Sequence, residues 1–485
     1  MIAHCLALAF TLVSGLATAA DERAGLSACR LDGVEHEAWC GSLKRPLDPA
    51  APNGTSIEIR YAVLPALARN RKPDAVFVFA GGPGQSAIEL AGPLERLLAR
   101  LSNRRDIVLV DQRGTGRSAP LTCDEDTPTE PLAATLDDRR QIERLRACRQ
   151  RLQRLPWGRL DLYPTWIAVQ DVDAVRQRLG LARIDLVGAS YGTRAALEYL
   201  RQFPQAVRRV VIDGVAPADI ALPASFSTDN QAALDALLAA CDADTDCRRR
   251  HPNLHADWEA LLAHLPRTVE VAQPVSGVLE RLTITREMLL GLARSPLYVP
   301  ALAAALPAAI EAAAQGRFDA LVALGTALGG NSDAKLYAGM HYAVVCAEDL
   351  PRLPLSKDRP GVDFDEVFAR QYREVCADWP QARIPAAFYD IPPTRSPVLL
   401  LSGGADPVTP PRHAERVARS LGPLARSVVV AQAGHGVMSL PCMRDVVFHF
   451  IDAEEDAAAL RVDAGCARGL PRPHAAVPVG SAAWP

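Results

Sequence analysis

A strand-like run that passes through a glycine-flanked serine into a helix is the feature that most constrains this chain. The run Ile184-Asp185-Leu186-Val187 leads into Gly188-Ala189-Ser190-Tyr191-Gly192, and an apolar pattern of helical spacing follows through Leu200. A serine in such a turn has a strained backbone and projects its hydroxyl above the carboxyl edge of a sheet. The pattern predicts a parallel sheet with Ser190 as an exposed nucleophile.

Other β-rich runs predict the remaining strands. They cover residues 75–79, 106–110, 210–212, 397–401 and 427–430. Each run is short and apolar, as buried parallel strands are. Residues 166–179 have helical periodicity, with Thr165 placed to cap the start and Gly180 to end it. The alternation predicts the α/β class with a mostly parallel sheet.

The region between residues 222 and 382 has a different pattern, rich in alanine and leucine at helical spacing. A chain of 485 residues is longer than one hydrophobic core usually serves, which favours a core with an insertion. We predict a core in two parts, residues 21–221 and 383–466, with residues 222–382 as a helical cap insertion. Residues 467–485, rich in Pro and Ala, are expected to form a poorly ordered tail.

The first twenty residues resemble a cleaved signal peptide. An apolar run over residues 6–16 precedes Ala17-Thr18-Ala19-Ala20, and polar residues follow. The start carries little positive charge, so an uncleaved anchor is the alternative. The apolar run is shorter than the ~20 residues of a spanning helix. The sequence therefore predicts export to the periplasm or the medium, with no membrane association after cleavage.

The cysteines support export independently. Of the 11 cysteines Cys5 lies in the leader, and the remaining even number fits disulfides in an oxidising compartment. They fall along the chain as successive neighbours: Cys29 and Cys40, Cys123 and Cys148, Cys241 and Cys247, Cys346 and Cys376, Cys442 and Cys466. We predict that each pairs with its neighbour. Metal ligation would need CxxC-like or His-containing spacings, which are absent, so we expect no metal and no cofactor.

The overall charge is nearly balanced, with 53 Lys and Arg against 56 Asp and Glu and a formal net charge of -3. No global field attracts polyanions, so nucleic acid is not an expected partner. The local run Arg248-Arg249-Arg250 is interpreted as a solvated face.

A serine hydroxyl needs a base, and the base needs an orienting carboxylate. Asp406 and His435 each follow a predicted strand on a glycine-rich loop. Their order after Ser190 and their positions at strand ends predict Asp406 as the orienting acid and His435 as the base. The alternatives are less well placed: His413 precedes a helical segment, and Asp378 and Asp390 precede the strand instead of following it.

The anionic intermediate of such a reaction needs backbone donors. Gly81-Gly82-Pro83-Gly84 follows the strand over residues 75–79, where an oxyanion loop is expected. We predict the N–H groups of Gly82 and Tyr191 as the oxyanion hole.

Together these motifs resemble a known family, the α/β-hydrolases grouped with proline iminopeptidases and secreted tripeptidyl aminopeptidases. The matching pieces are Gly81-Gly82-Pro83-Gly84, Asp111-Gln112-Arg113-Gly114-Thr115-Gly116-Arg117-Ser118, Gly188-Ala189-Ser190-Tyr191-Gly192, and the loops that carry Asp406 and His435. The resemblance covers about residues 59–466 and implies release of residues or short peptides from free amino termini. Ala80 and Tyr191 stand where cytosolic proline iminopeptidases usually have His and Trp, so the secreted tripeptidyl branch fits better. The loop from Asp111 to Ser118 is expected to shape the site without a catalytic role.

An aminopeptidase also has to bind the substrate ammonium, which calls for carboxylates. Glu348 and Asp349 follow Cys346, and this segment resembles a Cys-Ala-Glu segment of the secreted branch. We therefore predict Glu348, with Asp349, as the substrate-binding carboxylates; a solvated acidic pair before Pro351 is the alternative. The expected partner is a peptide with a free N-terminus, and the rival functions are a carboxylesterase and a catalytically silent binding module.

Overall fold

The computed structural model describes residues 25–123, 127, 129–328 and 335–476. The signal peptide predicted for residues 1–20 lies outside these residues. Among the helices in the described ranges, none is both long enough and apolar enough to cross a membrane.

The described residues form eleven strands: β1 Ser27–Cys29, β2 Ala38–Pro46, β3 Ser56–Leu64, β4 Ala75–Phe79, β5 Ile107–Val110, β6 Ile184–Ala189, β7 Val207–Asp213, β8 Arg267–Ala272, β9 Leu279–Ile284, β10 Val398–Gly403 and β11 Ala425–Val430. Nine of them form the central sheet, in the order β1-β2-β3-β5-β4-β6-β7-β10-β11. Strands β5, β4, β6, β7, β10 and β11 run parallel, which confirms the predicted mostly parallel sheet. The antiparallel strands β1 to β3 were not predicted.

The parallel strands are buried on both faces, because successive side chains point to opposite sides. Phe77, Leu186 and Ile212 pack into the core on one face. Val187 and Val211 pack into a second core on the other. Because the strands are buried on both faces, the strand ends that carry the site residues are held in fixed positions.

Helices cover both faces of the sheet and fill the insertion. They are α1 Ala91–Leu97, α2 Ala99–Ser102, α3 Leu132–Thr135, α4 Asp138–Leu152, α5 Thr165–Arg178, α6 Tyr191–Gln202, α7 Leu222–Ala243, α8 Thr245–Arg250, α9 Leu254–Ala263, α10 Arg286–Leu297, α11 Pro300–Ala303, α12 Leu306–Ala314, α13 Asp319–Thr326, α14 Ala338–Glu348, α15 Val367–Cys376, α16 Pro411–Leu421, α17 Pro441–Asp452 and α18 Asp456–Leu460. The predicted crossover helix is α5, but Thr165 is its first residue and not its cap, because Pro164 takes the cap position.

The insertion between β7 and β10 contains helices α7 to α15 and has a hydrophobic core of its own, with Leu289, Ile310 and Phe318 at its centre. The insertion is mostly helical, and it also contains an antiparallel hairpin of β8 and β9 that was not predicted. Alternating buried residues in the first strand, Val269 and Val271, carry the period-2 signal that the alanine-rich helices obscured. We propose residues 222–382 as a cap domain and call them the cap.

Five disulfides link the predicted neighbours. They join Cys29 to Cys40, Cys123 to Cys148, Cys241 to Cys247, Cys346 to Cys376 and Cys442 to Cys466. The predicted pairing is confirmed.

The segment after the last cysteine is ordered further than expected. Ala476 donates its N–H to the carbonyl of Ala304 at 2.8 Å, and the Arg250 guanidinium donates to the carbonyl of Ala475 at 3.4 Å. The expectation of a poorly ordered tail from residue 467 was therefore wrong up to residue 476, since these residues pack on the cap. Residues 477–485 lie outside the described ranges.

Candidate active site

Ser190 occupies a sharp turn between β6 and α6. Its φ of 54° and ψ of -124° are unusual for a residue with a side chain, and its N–H donates to the carbonyl of Asp213 at 2.9 Å. The flanking glycines permit the turn, since a Cβ on Gly188 would meet the Gly192 carbonyl oxygen at 2.5 Å and one on Gly192 would meet the Phe79 carbonyl oxygen at 2.1 Å. The strained geometry expected for the nucleophile is present.

His435 and Asp406 form a hydrogen-bonded pair on adjacent loops. His435 Nδ1 lies 2.8 Å from Asp406 Oδ2, so the imidazole donates from Nδ1 and leaves Nε2 free to act as a base. The other carboxylate oxygen accepts the N–H groups of Val408 and Thr409, both at 2.9 Å. The Thr409 hydroxyl also donates to Asp406 Oδ2 at 2.8 Å. Asp406 is thus held on all sides and fixes the imidazole.

The pair shifts the titration of both members. Burial alone would raise the pKa of Asp406, but the charge of His435 and its hydrogen bond bring that pKa below the ordinary value. Burial would likewise lower the pKa of His435, but the Asp406 carboxylate raises it. A base must be neutral to accept a proton, so a reaction that uses His435 as its base requires a pH above the raised pKa of His435 and slows as the pH falls through it.

The cap contacts the loop that carries His435. The N–H of His435 donates to the carbonyl of Tyr298 at 2.9 Å, and the two rings meet edge to face with centroids 5.4 Å apart. The Arg294 guanidinium donates to the Tyr298 hydroxyl at 2.7 Å. The cap therefore helps to orient the imidazole from above.

Ser190 and His435 line one cavity of about 400 Å³. Gly82 and Tyr191, the predicted oxyanion donors, line the same cavity. Tyr191 is the first residue of α6, and the first N–H groups of a helix have no acceptor inside it. The structure thus brings the predicted nucleophile, base and oxyanion donors together, with Asp406 behind the base.

The glycine-rich loop that carries the predicted oxyanion donor Gly82 is held from two directions. On the cap side, Tyr337 donates its N–H to the carbonyl of Gly84 at 2.8 Å, and His341 Nδ1 donates to the carbonyl of Pro83 at 3.1 Å. Burial lowers the pKa of His341 to about 4, so this imidazole is neutral. On the core side, Asp111 accepts the Ser86 hydroxyl at 2.5 Å. The segment beginning at Asp111 shapes the site, as expected.

Two family models match this chain. One, described as the alpha/beta hydrolase fold, matches residues 74–258 and includes Ser190. The other, described as a TAP-like protein, matches residues 361–458 and includes Asp406 and His435. The chain has the alpha/beta hydrolase fold, as its mostly parallel sheet also shows.

Curated relatives of this α/β-hydrolase have different activities. Serine protease Hip1 of Mycobacterium tuberculosis H37Rv is 26% identical over 408 residues, 77% of each chain. Tripeptidyl aminopeptidase of Streptomyces lividans is 25% identical over 508 residues, 95% of this chain and 90% of the relative. Carboxylesterase B of M. tuberculosis CDC 1551 is 27% identical over 271 residues, 50% of this chain and 52% of the relative.

Glu348 and Asp349, the predicted substrate-binding carboxylates, are not among the residues that line the cavity, whereas Arg194 is. Both are fully buried, and both bind Arg194, which is 1% exposed. Glu348 also accepts the N–H and hydroxyl of Thr165, and Asp349 accepts the N–H of Leu222. The prediction of direct ammonium binding does not fit this geometry, because each of the four carboxylate oxygens already has a donor.

His413, the alternative base, is also occupied. Its Nε2 lies 2.9 Å from Asp229 Oδ2, and both side chains are 2% exposed. Asp229 belongs to α7 of the cap, so this pair joins the cap to α16 of the hydrolase core.

Three contributors to the site were missed by sequence reasoning: Thr409, Tyr298 and Asp213. Thr409 lies three residues after Asp406, where a local side-chain to carboxylate bond could have been expected. Tyr298 acts through its backbone carbonyl, which every residue possesses, so no signal in the sequence identifies it. Asp213 directly follows the strand predicted over residues 210–212. A carboxylate at that edge of the sheet could therefore have been predicted to lie near the site.

Proposed function

We propose that this hydrolase is an exported serine aminopeptidase that cleaves peptide bonds near free amino termini through an acyl-enzyme. The observation that carries the proposal is the Asp406–His435 pair, with a 2.8 Å hydrogen bond, beside a strained Ser190 in a cavity roofed by the cap.

The proposed reaction uses side chains and backbone alone. His435 Nε2 takes the proton of Ser190 while the serine oxygen attacks the scissile carbonyl carbon. The N–H groups of Gly82 and Tyr191 stabilise the oxyanion. The C–N bond then breaks as His435 returns the proton to the leaving amine, and water attacks the acyl-enzyme by the same route. Asp406 keeps the imidazole in the correct tautomer throughout.

Three observations favour short peptides as substrates. The cavity, at about 400 Å³, is in the range of small-ligand sites and too small for a folded protein. Tyr298 of the cap packs edge to face against His435 and lines the cavity, so the cap bounds the site on that side. The similarity to a tripeptidyl aminopeptidase extends over 95% of this chain.

Export is part of the proposal. Five disulfides are typical of proteins that fold in an oxidising compartment. Detection of the processed chain in the periplasm or medium, with an amino terminus near residue 21, would support it; a full-length cytoplasmic chain with reduced cysteines would contradict it.

A carboxylesterase is the second candidate, favoured by the similarity to carboxylesterase B over half the chain. Peptides with free and acetylated amino termini but the same sequence, assayed beside nitrophenyl acetate, separate the two. An aminopeptidase cleaves the free peptides and spares the acetylated ones. Hydrolysis of the ester alone would establish the esterase.

A fluorophosphonate probe distinguishes an enzyme from a silent binding module. We expect labelling of the wild type at Ser190 and no labelling of Ser190→Ala, which is the matched control. A folded wild type that stays unlabelled would overturn both enzymatic functions.

A further inference from the structure

A third carboxylate, Asp213, lies at the catalytic edge of the sheet. It is the last residue of β7, pairs with Ala189 of β6 and lines the same cavity as Ser190. Its side chain is 2% exposed. The proposed mechanism so far gives it no task.

Asp213 contacts both halves of the catalytic machinery. Its carbonyl accepts the N–H of Ser190 at 2.9 Å, and its carboxylate Oδ2 accepts the N–H of Met438 at 2.7 Å. Met438 lies three residues after His435 on the same loop. The neighbouring Gly214 abuts the imidazole, because a Cβ there would meet His435 Cε1 at 3.1 Å. The carboxylate thus anchors the imidazole loop from below.

Anchoring the loop does not require a negative charge on Asp213. Val437 also directs its backbone N–H at this carboxylate, while the second oxygen, Oδ1, is buried and makes no well-formed hydrogen bond within the described part of the chain. A neutral amide could accept the same N–H groups, whereas a buried carboxylate carries a larger desolvation cost. An attraction to a nearby positive charge would offset this desolvation cost. Protonated His435 is the nearest candidate for that charge on the loop that Asp213 anchors.

We infer that Asp213 is a second carboxylate for His435: it anchors the loop that carries the imidazole and supplies negative charge beside it. Asp213 is a positioning residue, since it acts on substrate through His435. The inference rests on the proposed role of His435 as the base but not on peptide specificity.

The charged groups around His435 determine the sign of the effect. Asp406 and Asp213 both raise the pKa of His435, while Arg294 of the cap lowers it. Burial raises the pKa of Asp213 itself to about 6, so above that pH its charge is present. Removing this charge lowers the pKa of His435 and moves the acid limb of the activity profile to lower pH. Without this charge the imidazolium is also less stabilised in the transition state. The value of kcat/KM at pH values above the acid limb therefore falls.

The test compares Asp213→Asn with Asp185→Asn. Asp185 is the control: it lies at the opposite end of the adjacent strand β6, is fully buried, and its Oδ1 likewise makes no hydrogen bond to any described residue. It differs from Asp213 in pairing with Arg208 at 2.8 Å, so its substitution is expected to cost more stability while leaving the pH profile unchanged. We measure kcat/KM for nitrophenyl acetate and the rate of fluorophosphonate labelling from pH 5 to 9, with the melting temperature of each variant.

For Asp213→Asn we expect the acid limb to move down by about one pH unit, as for loss of one nearby opposite charge. We expect kcat/KM at pH 8 to fall about tenfold, the rate equivalent of that change. Asp185→Asn keeps the wild-type pH profile whatever its melting temperature. An unshifted acid limb in Asp213→Asn would overturn the inference and leave a purely structural role.

Asp213→Ser serves as the second variant, since it removes the charge and keeps a small acceptor. Failure of both Asp213 variants to fold, while Asp185→Asn folds, would place Asp213 in the fold alone and overturn the inference. Neither readout uses a peptide. A wild type that hydrolyses the ester but no peptide therefore refutes the aminopeptidase while this inference stands.

Discussion

Asp406 and Asp349 are both buried carboxylates that meet a basic side chain at 2.8 Å, one at the carboxyl edge of the sheet and the other between core and cap. Their partners differ. His435 is 19% exposed in the cavity and can gain or lose a proton near neutral pH, whereas Arg194 is 1% exposed and keeps its charge. An accessible, titratable partner allows proton transfer, while a sealed, permanent cation holds two parts of the molecule together. We therefore expect the same kind of pair to take part in catalysis in one region and to stabilise the structure in the other.

The largest effect belongs to the nucleophile of the first region. Ser190→Ala should lower kcat for ester and peptide substrates by at least about 10⁴-fold, because the other groups cannot replace the covalent step. The melting temperature should stay near that of the wild type. Retention of more than about a tenth of the wild-type rate would remove Ser190 from the mechanism, given losses of this size.

Asp406→Asn tests the catalytic carboxylate directly. We expect kcat to fall about 10³- to 10⁴-fold, because the amide favours the wrong imidazole tautomer. Loss of the negative charge also lowers the pKa of His435, so the residual activity should persist to lower pH than in the wild type. A pH profile by fluorophosphonate labelling measures both. A loss of stability with an unchanged rate would show that Asp406, like Asp349, has only a structural role.

Asp349→Asn makes the same chemical change in the second region and should give the opposite readout. Removing one partner of a buried ion pair costs about 3–5 kcal/mol of unfolding free energy. Urea unfolding measures this, and Glu374→Gln, which breaks the exposed pair with Arg146, should cost at most about 1 kcal/mol. If the folded Asp349→Asn protein lost a hundredfold in kcat while keeping its stability, the division between the two regions would fail.

Glu348→Gln should give the smallest effect. Both carboxylates beside Arg194 are sealed, so ester hydrolysis and cleavage of free-amine peptides should change by the same small factor. A loss confined to free-amine peptides would restore Glu348 as an ammonium ligand.

The same variant has a predicted pH dependence. Burial raises the pKa of Glu348 to about 7, so folding favours the protonated form, and the wild type loses stability as the pH rises from about 4.5 to 7. Glutamine imitates the protonated form and does not titrate. The stability difference should therefore move in favour of Glu348→Gln between pH 5 and pH 8, as measured by urea unfolding. No change with pH would mean that Glu348 stays ionised beside Arg194.

The sequence alone predicted the parts of the site that depend on local pattern. Ser190, Asp406 and His435 each follow a strand, and their order along the chain predicts their roles. The Gly-Gly-Pro-Gly loop was found in the same way. Such features can be predicted because a short segment of the sequence contains both the motif and the strand or helix pattern that flanks it.

Features that depend on contacts between residues far apart in the sequence could not be predicted from the sequence. Glu348 was predicted to bind substrate, but in the structure it accepts a hydrogen bond from Arg194, which lies one turn after Ser190 in α6 and 154 residues away along the chain. Nothing near Glu348 in the sequence indicates that partner. The hairpin of β8 and β9 was hidden in an alanine-rich region, where composition favours helix.

The neighbour-to-neighbour disulfides have a consequence for how the protein is made. Sequence separations between partners are 11, 25, 6, 30 and 24 residues, and no two of these loops cross. A chain emerging from the ribosome, or threaded through a translocation pore, presents each cysteine with its native partner before the next pair appears. An oxidant that joins cysteines in order of arrival therefore produces the native pairing directly, without a shuffling enzyme to correct it.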